Sequence, residues 1–210
     1  MTSILPFLDG PSPLPGTESP SRALFVDRWG TLLKKPEDAQ AGSLGTPAFY
    51  EGVLDALFRC TQAGWMIYLI GNETDVANGC TDESEWKRFE SEMVSVMHAH
   101  GVRVARSYAC LEDPAHGKGE RQRDSVFLLP NTGAMYHARQ FDGIRLDQSW
   151  VIGDSTLELA AGWRAGCQTA GVCTGVSQGD TTLETDISFE APNLTEALDT
   201  ILQLAQVAAR

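Results

Sequence analysis

An alternation constrains this chain's fold more than any other feature. From residue 22 onward, short apolar runs take turns with segments whose apolar residues recur at helical spacing. "RALFVD", "WMIYLIG", "VRVARSYA", "SWVIGD" and "CQTAGVC" read as five strands, the first of them short and buried. Between them, "YEGVLDALFRCTQAG" sets Val53, Leu54, Leu57 and Phe58 at helical spacing and stops at Gly64. "TDESEWKRFESEMVSVMHAHG" opens on a cap and an acidic first turn, repeats Trp86, Phe89, Met93 and Met97, and ends at Gly101. "NTGAMYHARQF", "STLELAAGWRAG" and the closing "NLTEALDTILQLAQVAA" add three more helices. Strands alternating with helices predict a doubly wound parallel sheet of the α/β class.

A length of 210 residues suits one such domain, over residues 21–210. Residues 1–20 hold five of the ten prolines and read as an extended arm, mobile unless Ile4, Leu5, Phe7 and Leu8 dock. The net charge of −12 argues against nucleic acid or an anionic membrane as partner. Any anion site must therefore make its own local positive field. Five scattered cysteines without a C-x-x-C pair, no membrane-length apolar run and no visible signal segment lead to the expectation of a reduced, cytoplasmic protein.

Open parallel sheets bind ligands beyond the carboxyl ends of their strands. That rule directs attention to Asp27–Thr31, Gly71–Glu73 and Gly153–Glu158, each directly after a predicted strand. Asp27 and Asp154 end the first and fourth strands, so two carboxylates at one sheet edge could share a Mg²⁺. Either aspartate alone is more often a helix cap or turn former than a ligand.

Four segments carry a resemblance to a known family. "DRWGT" resembles the first motif, D-x-D-G-T, of the haloacid dehalogenase-like (HAD) superfamily. "GNETDVANG" resembles its second, "LLPNTGAM" its third and "GDSTLELAAGWRAG" its fourth. The likeness runs from about residue 22 to 176 and is nearest to the histidinol-phosphate and heptose-bisphosphate phosphatases. It implies a Rossmann-like sheet of order 3-2-1-4-5 without a large cap domain. It also implies a Mg²⁺ held by Asp27, the Trp29 carbonyl and Asp154, with Asp27 as nucleophile.

The departures bear on activity. Trp29 stands where the family has its general acid, cannot transfer protons, and would occupy volume beside the substrate. Gly71 stands where a hydroxyl would hold the phosphoryl group, with Asn72 next to it. Leu129 stands where a lysine would neutralise charge. Glu158, the trailing acid of the fourth motif, is a tolerable change. Proton transfer alone is worth roughly 10²–10⁴-fold, and phosphoryl transfer depends chiefly on positioning and charge neutralisation. The expectation is a degenerate site with weak or no phosphatase activity, serving to bind a small phosphorylated metabolite or a protein partner. Restoring Trp29→Asp, Gly71→Thr and Leu129→Lys together should do more than any one alone.

The alternative is an active Mg²⁺-dependent phosphoric monoester hydrolase, acting on a small sugar phosphate or related metabolite with an altered general acid. Lys118, in "HGKGERQR", is its candidate substitute cation, though a solvated loop lysine is the plainer reading. An aromatic after the nucleophile also resembles the dehalogenase branch, which itself relies on a lysine. The zinc loop of the subfamily is reduced to Cys110 and His116, with Ser125 and Phe127 at the other two ligand positions, so no structural zinc is expected.

Overall fold

A computed structural model of the chain describes residues 21–35, 44–180 and 183–208. The arm over residues 1–20 lies outside the described residues. Six parallel strands form one sheet in the order β3-β2-β1-β4-β5-β6. They are β1 (Ala23–Asp27), β2 (Met66–Asn72), β3 (Val104–Cys110), β4 (Trp150–Gly153), β5 (Gln168–Val172) and β6 (Phe189–Ala191). The five expected strands are present in the expected order. β6 is a short addition at the edge, three residues long and without an apolar run to announce it.

β1 is the hub. It pairs with β2 over Ala23↔Met66 to Asp27↔Ile70, and with β4 over Leu24↔Trp150 to Val26↔Ile152. Successive side chains leave a strand on opposite faces. Leu24 and Val26 therefore enter one apolar core, while Ala23 and Phe25 enter the other. The first core is roofed by α1 (Val53–Gln62), α3 (Glu83–Ala99) and α6 (Leu194–Ala208). The helical stripe of Trp86, Phe89, Met93 and Met97 on α3 is buried there. The second core is covered by α4 (Gly133–Asp142) and α5 (Thr156–Ala165). Gly162 lets α5 lie close, since a Cβ there would sit 2.6 Å from Val151.

A four-residue helix, α2 (Thr74–Ala77), turns the chain away after β2. No helix among the described residues is long and apolar enough to cross a membrane.

Candidate active site

The sheet brings the predicted carboxylates to one edge. Asp27 is the last residue of β1, and Asp154 directly follows β4, its hydrogen-bonded neighbour. Both are buried. Thr31 Oγ1 donates to Asp154 Oδ1 at 3.1 Å, and the Val176 amide donates to Oδ2 at 2.7 Å. The Gln178 amide donates to the Asp154 carbonyl at 2.6 Å. The loop after β5 thus closes over Asp154 from above.

Two glycines make this approach fit. Gly30 has φ +87°, and a Cβ there would lie 2.5 Å from Asp154 Oδ2. At Gly175, φ +62°, a Cβ would overlap the same oxygen. An L side chain would be both strained and obstructed at either position.

Ser155 caps α5, accepting from the Leu157 amide at 3.2 Å, while Glu158 accepts from the Ser155 amide at 3.2 Å. This reciprocal capping box points Glu158 back toward the strand end. Burial pushes the Glu158 carboxyl up to about 7. Asp27 is also raised well above the usual carboxylate range, first by burial, then by Glu158 and Asp154, with Arg28 opposing. Asp154 is raised by burial, against the Val176 and Thr31 hydrogen bonds.

Crowded, buried carboxylates of this kind suit a hard divalent cation, which would relieve their repulsion. No group of three or more His, Cys, Asp or Glu among the described residues is disposed to hold a metal together. A Mg²⁺ here would rest on Asp27, Asp154 and the Trp29 carbonyl, with water completing its shell as that ion prefers. The oxygen-only donor set and the space kept clear by Gly30 and Gly175 fit that ion.

The other side of Asp27 is built differently. The Trp29 indole stacks on Phe89 of α3 at 5.3 Å between ring centroids. Its Nε1 donates to Glu73 Oε2 at 3.0 Å. The ring expected beside the substrate is thus committed to α3 and to the residue after β2. Arg28 is fully buried. Its Nη1 donates to Glu73 Oε1 at 3.0 Å and its Nη2 to Ser107 Oγ at 3.0 Å. Burial raises Glu73, opposed by Arg28 and then by the Trp29 N–H.

Gly71 opens onto this network. A Cβ there would lie 2.8 Å from Arg28 Nη1 and 3.3 Å from Asp27 Oδ1. The space a threonine would need is therefore already taken by a guanidinium. Asn72 grips the Leu129 backbone in both directions, donating to its carbonyl at 3.0 Å and accepting from its amide at 2.8 Å. The Leu129 side chain is buried in the second core. Lys118 is exposed beside α2, its amide donating to the Ala77 carbonyl at 2.9 Å and its Cδ passing Gly79.

Cys110 is buried with its Sγ directed at the Glu112 carbonyl, 3.4 Å away. His116 is exposed and pairs with Asp113 at 3.2 Å. A groove of about 870 Å³ lies between Ser125–Phe127 and the start of α4, and its lining includes none of Asp27, Asp154 or Glu158.

Motif reading gave no role to Arg28 and Glu73, though both lie in stretches the strand-end rule singled out, and none to Gly175 or the Val176 amide. Arg28 lies inside the quoted first motif, where a charge directly after a buried strand was the available signal. "GVSQG" follows the fifth strand at the ligand-binding edge, so the same carboxyl-end rule would have reached it.

A sheet of order 3-2-1-4-5-6 with paired aspartates after β1 and β4 defines a class, and comparison with known proteins agrees. A family model for HAD-hydrolase-like proteins matches residues 129–200. The D-glycero-α-D-manno-heptose-1,7-bisphosphate 7-phosphatase of Burkholderia mallei is 26% identical over 149 residues, covering 71% of this chain and 78% of that protein. The corresponding β-anomer phosphatase of Haemophilus influenzae is 29% identical, covering 68% and 76%. The structure of D,D-heptose 1,7-bisphosphate phosphatase from B. bronchiseptica, complexed with magnesium and phosphate, superposes with a TM-score of 0.74 at 23% identity, over 87% of this chain and 99% of that one. These likenesses support the haloacid dehalogenase-like superfamily as the one this chain resembles. Within it, the heptose-bisphosphate phosphatase group is the one it resembles.

Proposed function

We propose that this chain is a HAD-like protein whose phosphatase chemistry is impaired, and which serves to bind a small phosphorylated metabolite or a protein partner. One observation carries the reading. The three positions where a phosphatase would hold its acid, hydroxyl and ammonium are occupied by packing. Trp29 is stacked on Phe89 and tied to Glu73, Gly71 is filled by Arg28, and Leu129 is sealed in the second core.

Chemically, Asp27 could still attack phosphorus through a carboxylate oxygen, as the family's nucleophile does. A Mg²⁺ held by Asp27, Asp154 and the Trp29 carbonyl would supply charge neutralisation at the phosphoryl oxygens. The leaving oxygen, however, meets an indole whose one N–H is engaged, and no proton reaches it from that position. Without a lysine at 129, the negative charge that builds up during transfer lacks a second cation from the third motif.

Release of phosphate from heptose 1,7-bisphosphate and from histidinol phosphate, assayed with Mg²⁺ on wild type and Asp27→Asn, tests the reading. Very weak or absent turnover is expected. Turnover near an ordinary enzymatic rate, roughly 1 s⁻¹ or faster, abolished by Asp27→Asn, would overturn it. That outcome would establish the alternative, a Mg²⁺-dependent phosphoric monoester hydrolase. The gathered Asp27, Asp154 and Glu158 favour that alternative, as do the activities named for the relatives. Lys118 would then be the first cation to remove.

A further inference from the structure

The guanidinium of Arg28 borders the same niche as the nucleophile. From the point where a Gly71 Cβ would stand, Arg28 Nη1 is 2.8 Å away, Asp27 Oδ1 3.3 Å and Glu73 Oε1 3.7 Å. A serine or threonine at that position would place its hydroxyl one bond beyond that same point. Glycine leaves the volume to Nη1.

We propose that Arg28 is the anion-anchoring residue of this site, standing in for both the missing hydroxyl of the second motif and the missing lysine of the third, so that a phosphoryl oxyanion is held beside Asp27. The assignment rests on the reading above that the site binds a phosphorylated ligand, and it names the residue that does so.

Three features support it. Arg28 has donors to offer. Nη1 carries two N–H groups, and the structure gives it one acceptor, Glu73. Nε is buried with no protein partner. A buried orphan donor calls for an acceptor, and a phosphoryl oxygen is one.

The guanidinium is also fixed in place. Ser107 holds Nη2, the group lies over the Trp86 ring at 5.4 Å, and Glu90 stands 3.9 Å away. A donor held this way needs no reorganisation when an anion arrives. Finally, arginine keeps its charge when buried, whereas lysine gives it up readily, so arginine suits a cation role at a fully buried position.

The same geometry sets a limit. Glu73 competes for Nη1, and Glu90 and Asp27 add negative charge nearby, so affinity for a phosphate dianion is modest. Removing the Glu73 charge while keeping its shape should release Arg28 toward the ligand.

Inorganic phosphate titrated calorimetrically into the full chain with magnesium chloride present tests the proposal. Wild type should bind saturably. Glu73→Gln should bind about threefold tighter or more, by losing a competing charge. Arg28→Met, checked for folding by circular dichroism, should bind at least about tenfold more weakly. Should Arg28→Met fail to fold, Gly71→Ala carries the test. Its methyl intrudes on the Nη1 niche and should weaken binding about threefold or more while the far-ultraviolet spectrum is retained.

Absence of phosphate binding by wild type would overturn the proposal. So would a folded Arg28→Met or Gly71→Ala variant with wild-type affinity. These failures are distinct from that of the functional reading. Brisk ester hydrolysis ends the impaired-phosphatase conclusion while leaving Arg28 in place, and phosphate binding that ignores Arg28 ends this one without implying any turnover.

Discussion

Around Asp27, the β4 side of the sheet edge and the β2 side are made of different materials. Toward β4 stand Asp154, Glu158, the Thr31 hydroxyl and the Val176 amide, packed through two glycines that keep side chains away. Toward β2 stand an indole, a buried guanidinium and a leucine, each tied into a core. The first side is crowded with like charge that a cation would relieve. The second holds its charge in a buried Arg28–Glu73 pair and carries no hydroxyl at residue 71 and no lysine at residue 129. On the proposed reading, the site keeps the half suited to a metal, while Trp29, at the position of the family's acid, is packed against α3.

The contrast predicts opposite responses to substitution. Leu129→Lys should have the largest effect, a loss of about 3–5 kcal/mol, because it places an ammonium in an apolar core. Urea unfolding measures this, and an unchanged midpoint would break the claim that the β2 side is packing. The composite change of Trp29→Asp, Gly71→Thr and Leu129→Lys, attractive from the motifs alone, inherits that penalty. It also drives a threonine into Arg28.

Gly30→Ala should cost about 2–3 kcal/mol through positive φ and collision with Asp154. It should also abolish any thermal stabilisation by Mg²⁺. Retention of that stabilisation would detach the cation from the β4 side.

The third prediction concerns pH. Glu158 sits near 7 in the fold, against 4.5 for an ordinary glutamate. Below the ordinary value both folded and unfolded chains hold the proton, and stability is complete. As pH climbs from there through about 7, the unfolded chain releases its proton first and the fold loses stability. Asp27 and Asp154 are raised too and act in the same direction. A cation that binds the ionised cluster should offset this loss, so the Mg²⁺-induced rise in Tm should be about 3–6 °C greater at pH 8 than at pH 5. Thermal melts at the two pH values decide it, and an equal rise at both would remove the electrostatic basis of the β4 side.

The smallest effect is reserved for Trp29→Phe. It keeps the stacking on Phe89 and loses only the Nε1–Glu73 bond, a cost of about 1 kcal/mol. A loss of about 3 kcal/mol or more would mean that the indole N–H holds the β2 side together, rather than its ring.

Most of the fold was readable because burial on both faces leaves long apolar runs. β1, β2, β4 and β5 each show one, and Gly64, Gly101 and Gly166 mark helix ends. β6 was not readable. Three residues at a sheet edge, one of them an exposed glutamate, carry no period to detect. The carboxylates of the site were legible for a related reason, since a charge directly after a buried strand is conspicuous. The network beneath was not. Arg28 meets Glu73, Ser107 and Trp86 only after β1, β2, β3 and α3 are assembled, and no local spacing relates those positions. The destination of the Trp29 ring depends in the same way on where α3 lies.

The hydrogen bond from Thr31 to Asp154 spans 123 residues of chain. On a ribosome adding about 5–20 residues per second, Asp27 and Thr31 emerge roughly 6–25 seconds before the residue that completes their side of the site. β1, β2 and β3 can pair while they wait, so the network joining Arg28, Glu73 and Ser107 can assemble first. The Asp27–Asp154 side has no existence in a nascent chain until β4 slots in beside β1. A polypeptide cut short before Asp154 could pair β1 with β2 and β3, yet it would lack the second of the two aspartates altogether.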